Sequence, residues 1–199
     1  QCDWSSDVCS SDLAMAAQEK GVDSDIAQLA FGKGAVDMID AWFAHVDAAM
    51  LAPLPPGTLA GLSIRRRIIA LVEARLDLLA PHRDALRRAL AILALPVNAP
   101  RAAKLAWRAA DTIWRAAGDV ATDLNHYSKR ATLTAVYAST LLVFLDDESE
   151  GHADSRAFLA RRIEDVMRFE KAKAQFTGAA GGERLSLSRF IGRLRYPAI

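Results

Sequence analysis

Apolar residues recur at intervals of three and four along most of the chain, and glycine and proline interrupt this pattern. Such a period is typical of amphipathic helices joined by short turns. Alanine and leucine dominate the composition, which also favours helix. We therefore predict an all-α protein, with helices over residues 14–20, 25–31, 35–50, 62–79, 81–95, 98–118, 123–145 and 154–176.

The breaks in the pattern predict a division into five segments. A small N-terminal unit (14–52) is followed by the connector LAPLPPGTLAG and a larger helical domain (62–176). A glycine-rich linker (177–184) then leads to an amphipathic C-terminal helix (185–199). Residues 1–13 form the remaining segment.

The run DWSSDVCSSDL at residues 3–13 reads as the translation of a common sequencing adapter. A natural Ser/Asp-rich leader is the alternative. Both cysteines, Cys2 and Cys9, lie in or beside this run, so the rest of the chain offers no thiol chemistry. We expect residues 1–13 to be an artefact, and the true N-terminus with any targeting signal to be missing.

Charge and hydropathy argue against a nucleic-acid-binding protein and against a membrane-spanning protein. The formal net charge is +1, so the whole chain has no strong electrostatic attraction for nucleic acid. No stretch of about 18 uncharged apolar residues occurs, so we predict no transmembrane helix.

The N-terminal unit resembles the helix-turn-helix of TetR-type regulators in its order of short helix, turn, short helix, glycine and longer helix. Residues 14–44 contain two lysines and five acidic residues, a net charge of −3. A helix that reads DNA needs Lys or Arg to contact phosphates. We therefore expect no nucleic-acid partner. A TetR-type transcriptional regulator is the alternative function, on the basis of the helix order alone.

The residues that enzymes use are not arranged for catalysis. The four histidines show no metal-ligand spacing, and no phosphate-binding glycine loop occurs. The acidic loop at 146–151 lacks the spacing of a calcium loop, so a solvated turn is the simpler interpretation. We predict a non-enzyme with no catalytic residue, no metal and no cofactor.

Most of the chain beyond residue 86 resembles the lipid-binding accessory proteins of ubiquinone (coenzyme Q) biosynthesis, a family with a TetR-like fold. The resemblance is carried by RRALAILALPVNAP (87–100), KLAWRAADTIWRAAGD (104–119), TDLNHYSKRATLTAVYASTLLVFLDDESEG (122–151), FLARRIEDVMRFEKAK (158–173) and SRFIGRLRYP (188–197).

This resemblance implies a protein that shelters an isoprenoid lipid or quinone intermediate between its helices. It also implies that the protein presents this lipid to the demethoxyubiquinone hydroxylase at a membrane surface, and that it forms a homodimer. We expect a cytoplasmic protein, peripheral on the inner face of a bacterial inner membrane. The C-terminal helix alone fits either a membrane surface or a docked helix, and the resemblance favours the membrane.

The resemblance also points to site residues. The hydroxylase is expected to contact a mixed aromatic and charged surface; helix capping by Asp123 and a local Asp123–Arg130 pair are the simpler alternative. One departure is His126, where the family usually has an exposed tryptophan. The predicted partner residues are Trp114, Asp123, His126, Tyr127 and Arg130.

The lipid-lining candidates are apolar positions that face inward on the helical period, and ordinary core is the alternative for each of them. They are Leu71, Leu78, Leu105, Ile113, Val136, Thr140, Leu141 and Phe144. The membrane-binding candidates are the apolar and basic positions of the tail, Leu187, Arg189, Phe190, Ile191, Arg193, Leu194 and Arg195.

Overall fold

The computed structural model describes residues 4–32, 34–52, 54, 56–119 and 124–179. Within these ranges the chain forms helices and turns and no strand, which confirms the all-α prediction. The helices are α1 (Trp4–Glu19), α2 (Ser24–Ala30), α3 (Ala35–Ala49), α4 (Pro56–Ala60), α5 (Ile64–Leu79), α6 (Arg83–Leu93), α7 (Ala99–Ala116), α8 (Leu124–Leu145) and α9 (Ala153–Ala179).

Local chemistry explains where α2 and α3 begin. The Asp23 carboxylate accepts hydrogen bonds from the backbone N–H of Asp25 at 2.8 Å and of Ile26 at 3.4 Å, so it caps α2. Gly34, at the start of α3, has φ +66°, a left-handed conformation that glycine adopts without a steric penalty.

Helix α3 packs directly on the helices of the larger domain. Buried Ile39 clusters with Ala89 and Leu93 of α6 and Leu105 of α7, and Trp42 packs against the same cluster. Residues 1–160 accordingly form one compact unit, and residues 161–199 form a second. The predicted boundary between residues 52 and 62 thus lies inside the first unit.

The centre of the first unit is built from α5, α7 and α8. Leu71, Val72, Leu76 and Leu79 form the buried face of α5 at the spacing that the sequence predicts. Helix α7 packs most extensively against α8. The C-terminus of α8 is closed by two cations of α6, because Arg83 and Arg87 each donate from Nη2 to the Leu145 carbonyl at 2.7 Å.

Helix α8 is not apolar and buried on most sides, although residues 131–145 contain no charge. One of its faces is open to solvent, and it carries Ala131, Ala135, Ala138 and Leu142. Leu142 is 63% exposed. The uncharged run therefore combines a buried face with an exposed face of mostly small residues.

Helix α9 continues through Ala179, so residues 177–179 of the predicted linker are helical. The remainder of that linker and the C-terminal segment 185–199 lie outside the described residues. Among the residues that are described, no helix is both long and apolar enough to cross a membrane.

Candidate functional site

An apolar cavity of about 270 Å³ lies among α3, α5, α6, α7 and α8. Its apolar wall includes Phe43, Leu90, Leu93, Leu105 and Leu141. Alanines at 102, 106 and 109 of α7 leave the space that larger side chains would fill. A concave apolar volume of this kind is the usual form of a site for a small apolar ligand.

Two of the eight lipid-lining candidates, Leu105 and Leu141, lie in the wall of this cavity. The other six do not. Four of those are fully buried in the surrounding core, Val136 is 7% exposed and Leu78 is half-buried. The fully buried four are Leu71, Ile113, Thr140 and Phe144.

Two polar side chains also line the cavity, and sequence reasoning missed both. Arg75 is 2% exposed and Tyr137 is 5% exposed. Arg75 Nε donates to the Tyr137 hydroxyl at 3.1 Å, and the guanidinium lies 5.0 Å from the ring centroid. The sequence does indicate that Arg75 is buried, because it falls four residues after Leu71 and three after Val72, on the buried face of α5.

Arg75 belongs to a series of ion pairs that joins α3 to α5 and α7. Its Nη1 pairs with Asp47 of α3, whose other carboxylate oxygen accepts from Arg108 Nε at 2.9 Å. Arg108 and Arg101 both reach Asp40, at 2.5 and 2.9 Å. We call this series the α3 ion-pair chain; its members are Asp37, Asp40, Asp47, Arg75, Arg101 and Arg108.

The arginines of the α3 ion-pair chain keep Asp40 ionised. Burial would raise the pKa of the Asp40 carboxyl, but the hydrogen bond and charge of Arg108 outweigh it, and Arg101 and Lys104 add to the effect. The pKa of Asp40 is therefore held below its usual value.

A second feature is an aromatic surface formed by Trp107 and Trp114 of α7 with His126 and Tyr127 of α8. The Tyr127 ring is 6.1 Å from the Trp107 centroid and 5.1 Å from that of His126, and Tyr127 is 60% exposed. Trp114 Nε1 donates to the Lys129 carbonyl at 3.1 Å. Of the predicted partner residues, His126 and Tyr127 are thus in ring contact, Trp114 contacts α8 at Lys129, and Asp123 lies outside the described residues.

Arg130, the fifth predicted partner residue, does not belong to the exposed surface. It is 1% exposed and pairs through Nε with Asp111 at 2.6 Å and through Nη1 with Asp119 at 3.1 Å. Its Nη1 also donates to the His126 carbonyl at 3.2 Å. The sequence placed it with surface anchors because its helical spacing from Tyr127 suggested a common face; the structure instead places it beneath them.

The two carboxylates that hold Arg130 were missed from the sequence. Gly118 ends α7 with φ +93°, and this turn brings the Asp119 carboxylate back to α8, where Lys129 Nζ also reaches it at 2.8 Å. Burial would raise the pKa of the Asp111 carboxyl, but the Arg130 hydrogen bond and the charges of Arg115 and Arg130 lower it.

The acidic loop after α8 provides hydrogen-bond acceptors for the first turn of α9. Asp147 is 5% exposed and accepts backbone hydrogen bonds from Ser149 at 2.9 Å and Ser155 at 2.8 Å, together with their hydroxyls. These bonds outweigh burial and hold the pKa of Asp147 well below its usual range. Across the described ranges, no group of three His, Cys, Asp or Glu residues could hold a metal ion.

The seven membrane-binding candidates, all between Leu187 and Arg195, lie outside the described residues. The structure therefore gives no contact or exposure for the predicted membrane element.

Comparison with known proteins supports the family resemblance. Residues 99–170 match the family model described as COQ9. "Ubiquinone biosynthesis protein COQ9, mitochondrial" of Homo sapiens is 42% identical over 96 residues, which cover 48% of this chain and 30% of the human one. A probable ubiquinone biosynthesis protein coq9 of Dictyostelium discoideum is 28% identical over 137 residues, which cover 69% and 44%. This chain thus aligns with less than half the length of either relative.

The TetR-like fold is confirmed by a solved structure. The crystal structure titled as the TetR transcriptional regulator from Nitrosomonas europaea ATCC 19718 superposes with a TM-score of 0.62 and 27% identity. The match covers 76% of this chain and 83% of that chain.

Proposed function

Because residues 99–170 of this chain match the COQ9 family model, we propose that the protein serves ubiquinone biosynthesis as a non-enzymatic lipid-binding accessory factor. It binds an isoprenoid quinone intermediate and presents it to the membrane-associated demethoxyubiquinone hydroxylase. The relatives are named as ubiquinone biosynthesis proteins, and the observation that carries the lipid role is the apolar cavity beside α7 and α8.

The cavity test fills the space and asks whether lipid is lost. Ala106→Leu places a larger side chain on the cavity wall, whereas Ala103→Leu places the same side chain on the exposed side of α7. Both proteins would be purified from cells that make ubiquinone, and their lipid extracts measured by mass spectrometry. We expect isoprenoid lipid with the wild type and Ala103→Leu, and a loss with Ala106→Leu. Absence of isoprenoid lipid from the wild type would contradict the proposal.

The aromatic surface is the proposed contact for the hydroxylase. Aromatic side chains that are exposed and held by neighbouring rings suit the centre of a protein interface. Tyr127→Ala is expected to weaken hydroxylase binding by about thirtyfold, the effect of losing a 2 kcal/mol hot spot. Leu29→Ala, a truncation of an 87% exposed side chain on α2, is the control. Equal affinities of both variants would exclude the aromatic surface as the contact.

Membrane association, by this proposal, resides in residues 185–199, and the protein acts as a homodimer on the inner face of a bacterial inner membrane. The two curated relatives described above are named as mitochondrial. The tail combines apolar and basic side chains at helical spacing and contains no acid. Deleting Leu185 to Ile199 should abolish flotation with liposomes; unchanged flotation would remove the membrane role from the tail.

A TetR-type regulator is the second candidate, and the structural similarity to the TetR transcriptional regulator from Nitrosomonas europaea favours it. The start of α2 weighs against it, since α2 is the second short helix of the helix-turn-helix order and would have to read DNA. Asp23 and Asp25 stand at its beginning, and Ser24–Ala30 contains no Lys or Arg. A DNA pull-down at about 0.2 M salt distinguishes the two, because only specific binding survives such screening.

A further inference from the structure

A second cavity, of about 550 Å³, lies between the connector, α5 and α7. Its volume falls within the roughly 300–1,000 Å³ that is usual for small-molecule sites. It shares no wall residue with the apolar cavity described above and is about twice as large. We call it the connector cavity; its wall includes Leu51, Leu54, Leu59, Arg67, Asp111 and Arg115.

Leucines of the connector form an apolar part of this wall. Leu59 is buried, Leu54 is half-buried and Leu51 is 43% exposed. Ala116 of α7 belongs to the same wall and adds a small side chain that leaves space. A hydrocarbon chain lying on these leucines would remove apolar surface from water, which favours binding.

Two arginines give the connector cavity a net positive charge. Arg67 is half-buried and donates from its three nitrogens to backbone carbonyls at 2.9, 3.0 and 3.0 Å, and no described carboxylate pairs with it. These carbonyls carry only partial charges, so they do not neutralise the guanidinium. Arg115 pairs with Asp111 at 2.9 Å, and its side chain is 72% exposed. The three charged side chains of the wall therefore sum to +1, which a monovalent anion would balance.

We infer that the connector cavity binds an apolar monocarboxylate, the chemistry of a fatty acid, with its carboxylate at Arg115 and Arg67 and its chain on the three leucines. A guanidinium matches a carboxylate because its N–H groups donate two parallel hydrogen bonds. A neutral alcohol of the same length would leave the positive charge unbalanced, and a dianion would exceed it. This site is separate from the apolar cavity, so the inference does not depend on the proposed function.

The first test removes the cation at the cavity wall. Equilibrium dialysis of the full chain would measure binding of radiolabelled decanoate and of 1-decanol, which has the same chain length without the charge. Arg115→Gln should weaken decanoate binding about tenfold, the effect of one lost hydrogen bond to a charged group, and should leave decanol binding unchanged. Arg66→Gln is the matched control, because Arg66 is exposed on α5 outside this wall and its loss changes the net charge equally. Equal weakening by both substitutions would reduce the effect to net charge and overturn the inference.

The second test distinguishes the two cavities. Ala116→Leu places a larger side chain in the connector cavity, and Ala106→Leu does the same in the apolar cavity. We expect decanoate binding to be lost in Ala116→Leu and kept in Ala106→Leu; the reverse pattern would overturn the inference. If Ala116→Leu does not fold, as judged by circular dichroism, the comparison of Arg115→Gln with Arg66→Gln decides. A wild type that binds no decanoate would overturn the inference and leave the proposed presentation of quinone intermediates untouched.

Discussion

Replacing Arg130 by methionine tests whether this residue holds α7 to α8 or contacts a partner. The substitution keeps an apolar stem of similar length and removes the guanidinium between Asp111 and Asp119. Losing one member of a buried ion pair typically costs about 3–5 kcal/mol, because the other member stays buried without its partner. Here Asp111 keeps Arg115 at 2.9 Å and Asp119 keeps Lys129 at 2.8 Å, which places the expected cost at the lower end, about 3 kcal/mol.

For a chain of this size, 1 kcal/mol corresponds to a change of about 2–4 °C in melting temperature, so Arg130→Met should melt about 6–12 °C lower. Urea unfolding followed by circular dichroism would give the free energy of unfolding directly. Arg115→Met is the matched control, since the Arg115 side chain is 72% exposed and its loss should cost under about 0.5 kcal/mol.

A stability loss below about 1 kcal/mol for Arg130→Met would refute the buried role. Weaker hydroxylase binding without any loss of stability would instead support the surface role that the sequence suggested. Measuring both properties on the same preparation separates the two outcomes.

Three further predictions concern the described part of the chain. Asp147→Asn should destabilise the protein by about 1–2 kcal/mol in thermal unfolding, because it weakens the acceptor at the start of α9; Glu148→Gln on the exposed side of that loop should have no effect, and equal effects would contradict this role. Folding lowers the pKa values of Asp111 and Asp147. The stability that these carboxylates provide is therefore complete well above about pH 4, the range of an unfolded aspartate, and is lost as pH falls through their lower folded pKa values. A pH series of urea midpoints without a decline below about pH 4 would contradict this pH dependence. Gly118→Ala should lower the free energy of unfolding by at least about 1 kcal/mol, because φ is +93° and the new Cβ would lie 3.3 Å from Arg67 Nη1; an unchanged urea midpoint would show that the turn relaxes.

The helices and their local signals were predictable from the sequence because they depend on neighbouring residues. Asp23 caps α2 by accepting from the N–H groups of Asp25 and Ile26, and glycines end or begin helices where φ is positive. Asn98 shows the limit of such reasoning. It occupies the N-cap position of α7, where asparagine usually accepts from the helix backbone, but its side-chain Nδ2 donates backward to the Ile92 carbonyl at 2.9 Å. The contact depends on the preceding 3₁₀ turn, which periodicity does not report.

The candidate sites were less predictable because they depend on contacts between distant helices. An apolar period identifies the inward positions of α5, α7 and α8 but does not distinguish a cavity wall such as Leu105 from solid core such as Ile113. The same limit applies to charges. Arg75 stands out on a buried face, yet its partners Asp47 and Tyr137 lie 28 and 62 residues away. Only the tertiary structure reveals that Arg75 borders an apolar space.

The α3 ion-pair chain also determines how the gene could be shortened. A fragment beginning at Leu62 would keep Arg75, Arg101 and Arg108 but discard every carboxylate of α3 that balances them. Its core would then contain an almost fully enclosed guanidinium without a counter-ion, a situation that strongly disfavours folding. An expression fragment should therefore include α3 even when only the apolar cavity is under study.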